Sequence, residues 1–282
     1  MAMHPVFPLE LEREIFETAA FGDRELIPTL LRVCQRVHTW VEPLLYRVLL
    51  TSIDSEYPWL SAIQSKPASF LQKAVHHVYL RMDRRDTSTF KDILLKCSGV
   101  RNLVLDANFD PSMVQVVDNM RLQRLGLYLP FNWTNTPLPY RSLSSLTHLE
   151  IYSELSSEDP NWTNWLQFAS LPALTHVCLS GEFPDDVLPR ALVGCPSLIV
   201  GIVAFWDSHG AVENEAAEFA ESLNSTDPRV VVMVIPKYKD DWESGARGGS
   251  DFWMRAEAFV LRKRKGEIEA KCYYLDESDP HI

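Results

Sequence analysis

Long apolar runs are missing from this 282-residue chain. No stretch approaches the ~20 residues needed to cross a bilayer, so a membrane partner is not expected. The opening Met1-Ala2-Met3-His4-Pro5 carries no basic region and leads into an acidic helix, unlike a secretory signal. Positive charge is scarce as well: 27 Lys and Arg stand against 38 Asp and Glu, a net charge of -11. Phosphate backbones need a basic surface, which argues against nucleic acid as the main partner. The one dense basic run, Arg262-Lys263-Arg264-Lys265, sits where it complements the dipole at the end of a helix. Cysteines are few, scattered and odd in number: Cys34, Cys97, Cys178, Cys195 and Cys272. They fit free thiols of a reducing cytosol or nucleus better than a disulfide framework. The Asn-Trp-Thr triplets at Asn132 and Asn161 would matter as glycan acceptors only in a secreted chain.

Signatures of chemistry are absent too. No Cys-x-x-Cys, His-Glu-x-x-His or Gly-x-Ser-x-Gly occurs, and Gly248-Gly249-Ser250 lacks the spacing of a phosphate-binding Walker loop. His76 and His77 are adjacent, and neighbours on a strand point to opposite faces. His148 and His176 recur at equivalent positions, with Cys178 two residues beyond His176. A cysteine–histidine nucleophile would need contact and a third, orienting group, which nothing in the sequence enforces. No cofactor, no metal and no catalysis are expected; a hydrolase is the remotest alternative.

What is present is an ordinary globular composition, 46% hydrophobic and 23% charged, arranged in two patterns. The first occupies residues 1–50. After Phe7-Pro8, residues Leu11, Ile15, Phe16 and Ala19 share one helical face, and Glu10, Glu12, Arg13, Glu14 and Glu17 take the other. Gly22-Asp23 breaks this helix. Pro28 suits a first helical turn, and Leu30, Leu31, Val33, Cys34, Val37 and Val41 form a second apolar stripe. Pro43 restarts a short third helix with Leu44, Leu45 and Tyr46. Three short helices cannot bury that much apolar surface among themselves, so the surplus must meet the next domain or a partner.

Phe7-Pro8-x-Glu10-Leu11-x-x-x-Ile15-Phe16, Val33-Cys34-Gln35-Arg36 and Leu45-Tyr46-Arg47 together resemble the F-box, and the block from Leu9 to Leu50 is similar to fungal F-box-like openings. Phe7 stands where the family usually has leucine, and Tyr46 where it usually has tryptophan. The resemblance implies docking onto the Skp-type adaptor of a cullin–RING ubiquitin ligase. It implies adaptor contacts at Phe7, Pro8, Leu11, Ile15, Phe16, Leu30, Leu31 and Val33. The plain alternative is that these helices only cap the domain that follows.

The second pattern is a repeat. Apolar residues at positions one, four and six recur as Val75/Val78/Leu80, Val100/Leu103/Leu105, Leu122/Leu125/Leu127, Leu146/Leu149/Ile151 and Leu174/Val177/Leu179, with a degenerate Leu198/Gly201/Val203. Successive copies start roughly 22–28 residues apart, within the leucine-rich-repeat range. Positions four and six of a strand point to one face, and the intervening segments return the chain as helices. Phe90, Ile93 and Leu94 make one return helix after Asp86 or Thr87. Asp110-Pro111 opens another with Met113, Val116 and Val117. Trp162, Trp165, Leu166 and Ala169 make a third, and Val187, Leu188, Ala191 and Leu192 a fourth. Strand, helix, strand gives parallel pairing in a right-handed coil.

The expected fold is therefore α/β: a three-helix F-box-like module over 1–50 and a helical linker over 51–74. A short right-handed leucine-rich-repeat-like solenoid of about six parallel strands follows over 75–205, then a C-terminal α/β cap over 206–282. Within the cap, an acidic amphipathic helix covers Gly210 to Leu223, Val230–Ile235 makes a buried strand closing the sheet, and 245–249 forms a loop. A last helix, capped by Ser250 or Asp251, ends at Gly266. Positions three, five and seven of each strand should face outward and form a concave recognition surface. These are His77, Tyr79 and Arg81, Asn102, Val104 and Asp106, Arg124 and Tyr128, His148, Glu150 and Tyr152, then His176. Tyrosine and arginine most often carry binding energy, which favours Tyr79, Arg124, Tyr128 and Tyr152. The functional expectation is a substrate receptor of a Skp–cullin–F-box ubiquitin ligase, binding the adaptor by its head and a protein substrate by its solenoid. A non-catalytic interaction scaffold with no ligase role is the alternative.

Overall fold

The computed structural model describes residues 7–51, 58–81, 87–108, 114–128, 143–154, 171–182, 187–206 and 212–276. The chain begins with helix α1, Leu9–Gly22, started by Pro8 and acidic in its first turn, where carboxylates favour the helix dipole. Asp23 stops it and caps a single 3₁₀ turn, its side chain accepting from the Glu25 amide. Then come α2, Ile27–Leu30, and α3, Gln35–Leu45. The second apolar stripe is thus split rather than continuous. The chain turns at 31–33, and Pro43 lies inside α3 instead of restarting a helix. Proline lacks an amide to give, and so late in a helix it forfeits one bond without ending it. Ala20, Ile27, Val37 and Val41 form a small core private to this head.

The rest is an α/β layer. Nine parallel strands follow one another across a single sheet in chain order: β1, Val48–Leu50; β2, His77–Arg81; β3, Asn102–Asn108; β4, Arg124–Tyr128; β5, His148–Glu154; β6, His176–Glu182; β7, Val200–Trp206; β8, Val230–Ile235; and β9, Tyr274–Leu275. The six strands expected between 75 and 205 are β2 to β7. Strand β1, inside the stretch assigned to the head, and strand β9 are additions. The sheet runs past β8 to β9 and stays open, so Val230–Ile235 does not close it.

Helices α4, Pro58–Ser65; α5, Ala68–Ala74; α6, Thr87–Lys96; α7, Val114–Val117; α8, Val187–Gly194; and α9, Val212–Ser222, contribute to the layer against one face. The return helix expected at Trp162 to Ala169 and the cap at Asp110-Pro111 lie outside the described residues.

Register explains the repeat. Val78, Leu103, Leu125, Leu149 and Val177 align across neighbouring strands, as do Leu80, Leu105, Leu127, Ile151 and Leu179. All ten are buried in the core shared with the helices. The first position of each copy, from Val75 to Leu198, is buried as well and ends the turn into the strand. There one carbonyl of each coil accepts two amides of the next: Arg47 O from His76 and His77, His76 O from Arg101 and Asn102, Gln123 O from Thr147 and His148, Thr147 O from Thr175 and His176. Hydroxyls add a second ladder, with Ser145 donating to Leu122 O at 2.9 Å and Ser197 to Leu174 O at 3.0 Å. Backbone donors buried at each turn are thereby satisfied by the preceding coil.

The opposite face is where expectation and structure part. After β8 the chain forms α10, Tyr238–Ala246, and α11, Phe252–Lys265. Residues 245 and 246, expected in a loop, complete α10. Rather than capping an open end, these helices lie on the second face of the sheet. Trp242 and Ala246 pack on Val48, Tyr79, Val104 and Tyr152. Phe252, Trp253, Ala256, Phe259 and Val260 pack on Cys178, Val200, Ile202, Val231 and Met233. Helix α11 starts as expected, with Asp251 accepting from the Met254 amide at 3.0 Å. It ends at Gly266, whose φ of 73° is the left-handed conformation glycine adopts freely. Its last turn holds all four basic residues of the 262–265 run. Among them Lys263 is buried, donating to Val230 O at 2.7 Å, and burial lowers its pKa to about 8.

Candidate functional site

Two sets of residues were candidates, and the structure treats them oppositely. On the head, Leu11 and Ile15 are four residues apart and share one face of α1, and Phe7 precedes the helix, just before Pro8. They are 53%, 49% and 52% exposed, and Val33, on the turn into α3, is 54% exposed. Pro8 is exposed beside them. Phe16, Leu30 and Leu31 are half-buried against the head's core. The eight expected adaptor residues therefore divide into five that offer free surface and three that tie that surface to the core beneath. Arg36 donates to Glu12 at 2.7 Å, fixing α1 against α3 from the polar side.

On the sheet, the expected recognition face is largely covered. Tyr79, Asn102, Val104, Glu150, Tyr152 and His176 are buried, and His77, Arg124 and His148 are half-buried. Alternation correctly grouped these residues on one face; α10 and α11 then took that face away from solvent. Arg81 remains exposed, with Asp106 and Tyr128 half-exposed beside it, all toward the C-terminal ends of β2 to β4.

The covered row is a buried polar network. Tyr238 donates to Glu150 Oε2 at 2.7 Å, and its oxygen lies 2.6 Å from that of Tyr152. Tyr79 donates to Asp106 at 3.0 Å. Arg124 reaches Asp251 at 2.5 Å, so the residue that caps α11 also pins that helix to β4. Burial pushes the Glu150 carboxyl up to about 8, with the tyrosine bonds opposing, so the group is protonated at neutral pH. His148 and His176 stack with centroids 4.1 Å apart, both edge-on to Trp253. Burial depresses both, His148 to about 2, so they are neutral packing groups. Each sets its Nδ1 2.8 Å from the threonine hydroxyl before it. The gap between these side chains has room for about one water molecule.

Cys178 lies 3.7 Å from the Ser180 hydroxyl, and burial raises its thiol pKa, the reverse of what activates a nucleophile. Among the described residues, no group of three His, Cys, Asp or Glu is placed to hold a metal ion. Among them, too, no helix is long and apolar enough to cross a membrane.

Comparison with known proteins adds no relative. No family model matches the chain, and no curated protein matches it.

Sequence reasoning took Trp242 for a core or groove residue, and it is buried, but it missed α10 and the Tyr238 that helix supplies. The helix's signal was present as Tyr238, Trp242 and Ala246 at helical spacing. The charged run Lys237 to Asp241 masked it.

Proposed function

We propose that the chain is a substrate-recognition subunit of a Skp–cullin–F-box type ubiquitin ligase. The F-box-like head holds the Skp-type adaptor, and the leucine-rich-repeat-like solenoid presents a protein substrate. Such a subunit makes no bond itself. It raises the concentration of a bound substrate near the ubiquitin-charged enzyme. The observation that carries this reading is that Leu11 and Ile15 on one face of α1, with Phe7 before it and Val33 on the turn into α3, are left in solvent by a head that has its own core. Several large apolar side chains left exposed on one small module favour an interaction surface. The covered sheet face moves the proposed substrate contacts to what is still accessible: Arg81, Asp106 and Tyr128.

The test is co-expression with a Skp-type adaptor and pull-down of wild type and a Leu11→Asp/Ile15→Asp variant. Two carboxylates in an apolar contact each cost several kcal/mol when unpaired, so capture should fall at least about tenfold. Adaptor capture by the folded variant at wild-type level would sink the proposal. A folded wild type that captures no adaptor would leave the head as a cap on an interaction scaffold without a ligase role.

A further inference from the structure

A cavity of about 350 Å³ opens where the head meets α10. Its apolar lining includes Phe21, Ile27 and Leu44 of the head. Its lining also carries three arginines from separate parts of the chain: Arg24 after α1, Arg47 before β1 and Arg247 after α10. One carboxylate answers them. Glu243 accepts from Arg247 Nε at 2.7 Å and lies 3.9 Å from Arg24. Three cations less one anion leaves a local charge of +2, in a chain whose net charge is -11.

Arg47 is the least provided for. Its Nε is buried and has no hydrogen-bond partner among the described residues. Its guanidinium carbon stands 5.4 Å over the Phe21 ring. The backbone cannot swing away, because Arg47 O accepts from the amides of both His76 and His77 at 3.0 Å. Burial and neighbouring cations depress Arg24 and Arg47 alike. Within the cavity Arg247 opposes Arg24, while Arg101, outside its lining, opposes Arg47; an anion would relieve both, and guanidinium forks match phosphate oxygens two at a time.

We propose that this cavity binds a small organic phosphate, its dianionic group held by Arg24, Arg47 and Arg247 and its apolar body set on Phe21, Ile27 and Leu44. The volume lies within the range of small-molecule pockets, and an apolar wall with a few convergent charges is their usual lining. Such a ligand would bridge the head to the C-terminal helices and fix the orientation of the proposed adaptor surface against the sheet. The site stands whether or not the head binds an adaptor.

The probe is phenyl phosphate, titrated calorimetrically into the full chain beside inorganic phosphate and phenol, all in chloride buffer. Phenyl phosphate should bind saturably, at least about tenfold tighter than either fragment, and raise the melting temperature. Arg24→Gln, at a half-exposed side chain that the fold does not need, should weaken it about tenfold. The Arg47 Nε–H resonance of the wild type should shift on titration, a readout independent of any variant. The proposal is overturned by no saturable binding at millimolar phenyl phosphate, by an unmoved Arg47 resonance, or by equal binding of inorganic phosphate. A short phosphotyrosine peptide binding at least about tenfold tighter than phenyl phosphate would overturn the small-molecule assignment in favour of a modified protein partner.

Discussion

At the scale of single residues, the sheet positions carry measurable consequences on both faces. Leu125 is buried among Leu103, Leu149 and the return helices. Truncating Leu125 to Ala leaves a cavity there, and urea denaturation should show a loss of ~2–5 kcal/mol. Gly126 sits in the same strand on the other face, where an added Cβ would come 2.7 Å from the Tyr152 oxygen and 3.1 Å from Val104. Gly126→Ala should therefore cost ~1–3 kcal/mol by overpacking, with loss of the Tyr152–Tyr238 contact visible in near-ultraviolet dichroism. Glu150 yields a pH prediction. Its folded pKa of about 8 lies above its ordinary 4.5, so the native state binds the extra proton. Its contribution is fully present below pH 4.5 and is lost as pH rises toward 8. Glu150→Gln removes that loss. Stability measured from pH 4.5 to 8 should fall for wild type relative to the variant, the gap widening by a few kcal/mol. Parallel curves would mean that Glu150 is ionised in the fold. His148, depressed to about 2, contributes with the opposite slope below its ordinary 6.5 in both proteins and cancels in the comparison.

At the scale of elements, α11 depends on one side chain twice over. Asp251 caps its first turn through Met254 and receives Arg124 from β4. Asp251→Ala should cost ~1 kcal/mol for the cap and ~1–3 kcal/mol for the half-buried guanidinium left without its carboxylate. Thermal unfolding followed by tryptophan fluorescence reports it directly, because Trp253 sits two residues on. An unchanged midpoint would show that α11 is held by its apolar face alone. Helix boundaries marked by such chemistry were legible in advance: Asp251 and Gly266 bound α11 as their residue types require. Helix α10 was not. Its N-terminus has no side-chain cap, its first turn is charged, and Gly245 falls inside it. Only packing against Tyr79, Val104 and Tyr152 makes that segment a stable helix, since most helical stability in proteins comes from a packed face.

For the whole molecule, the exposed apolar residues of the head should be separable from the stability of the sheet. The head has a separate core, and its exposed Leu11 and Ile15 touch none of the sheet's apolar clusters. Leu11→Asp/Ile15→Asp should leave the unfolding midpoint nearly unchanged, within about 0.5 kcal/mol per site, because surface substitutions rarely exceed that. A large destabilisation would mean that these two residues are structural. The sequence by itself determined the strand spacing, the chain-order parallel pairing and the identity of the helix-facing core. Each follows from local alternation and from a repeat that must stack to bury itself. It also determined which residues share the second face, from Tyr79 to His176. What covers that face was decided only by the tertiary structure. Tyrosine, histidine, glutamate and arginine suit a wet surface as well as a hydrogen-bonded interior, so their pattern along a strand is the same in both. Covering depends instead on where a segment more than eighty residues away along the chain comes to rest: Tyr238 meets Glu150, and Asp251 meets Arg124. The short strands β1 and β9 belong to the same class. Three and two residues long, they carry no readable period and become strands because a neighbour offers its edge.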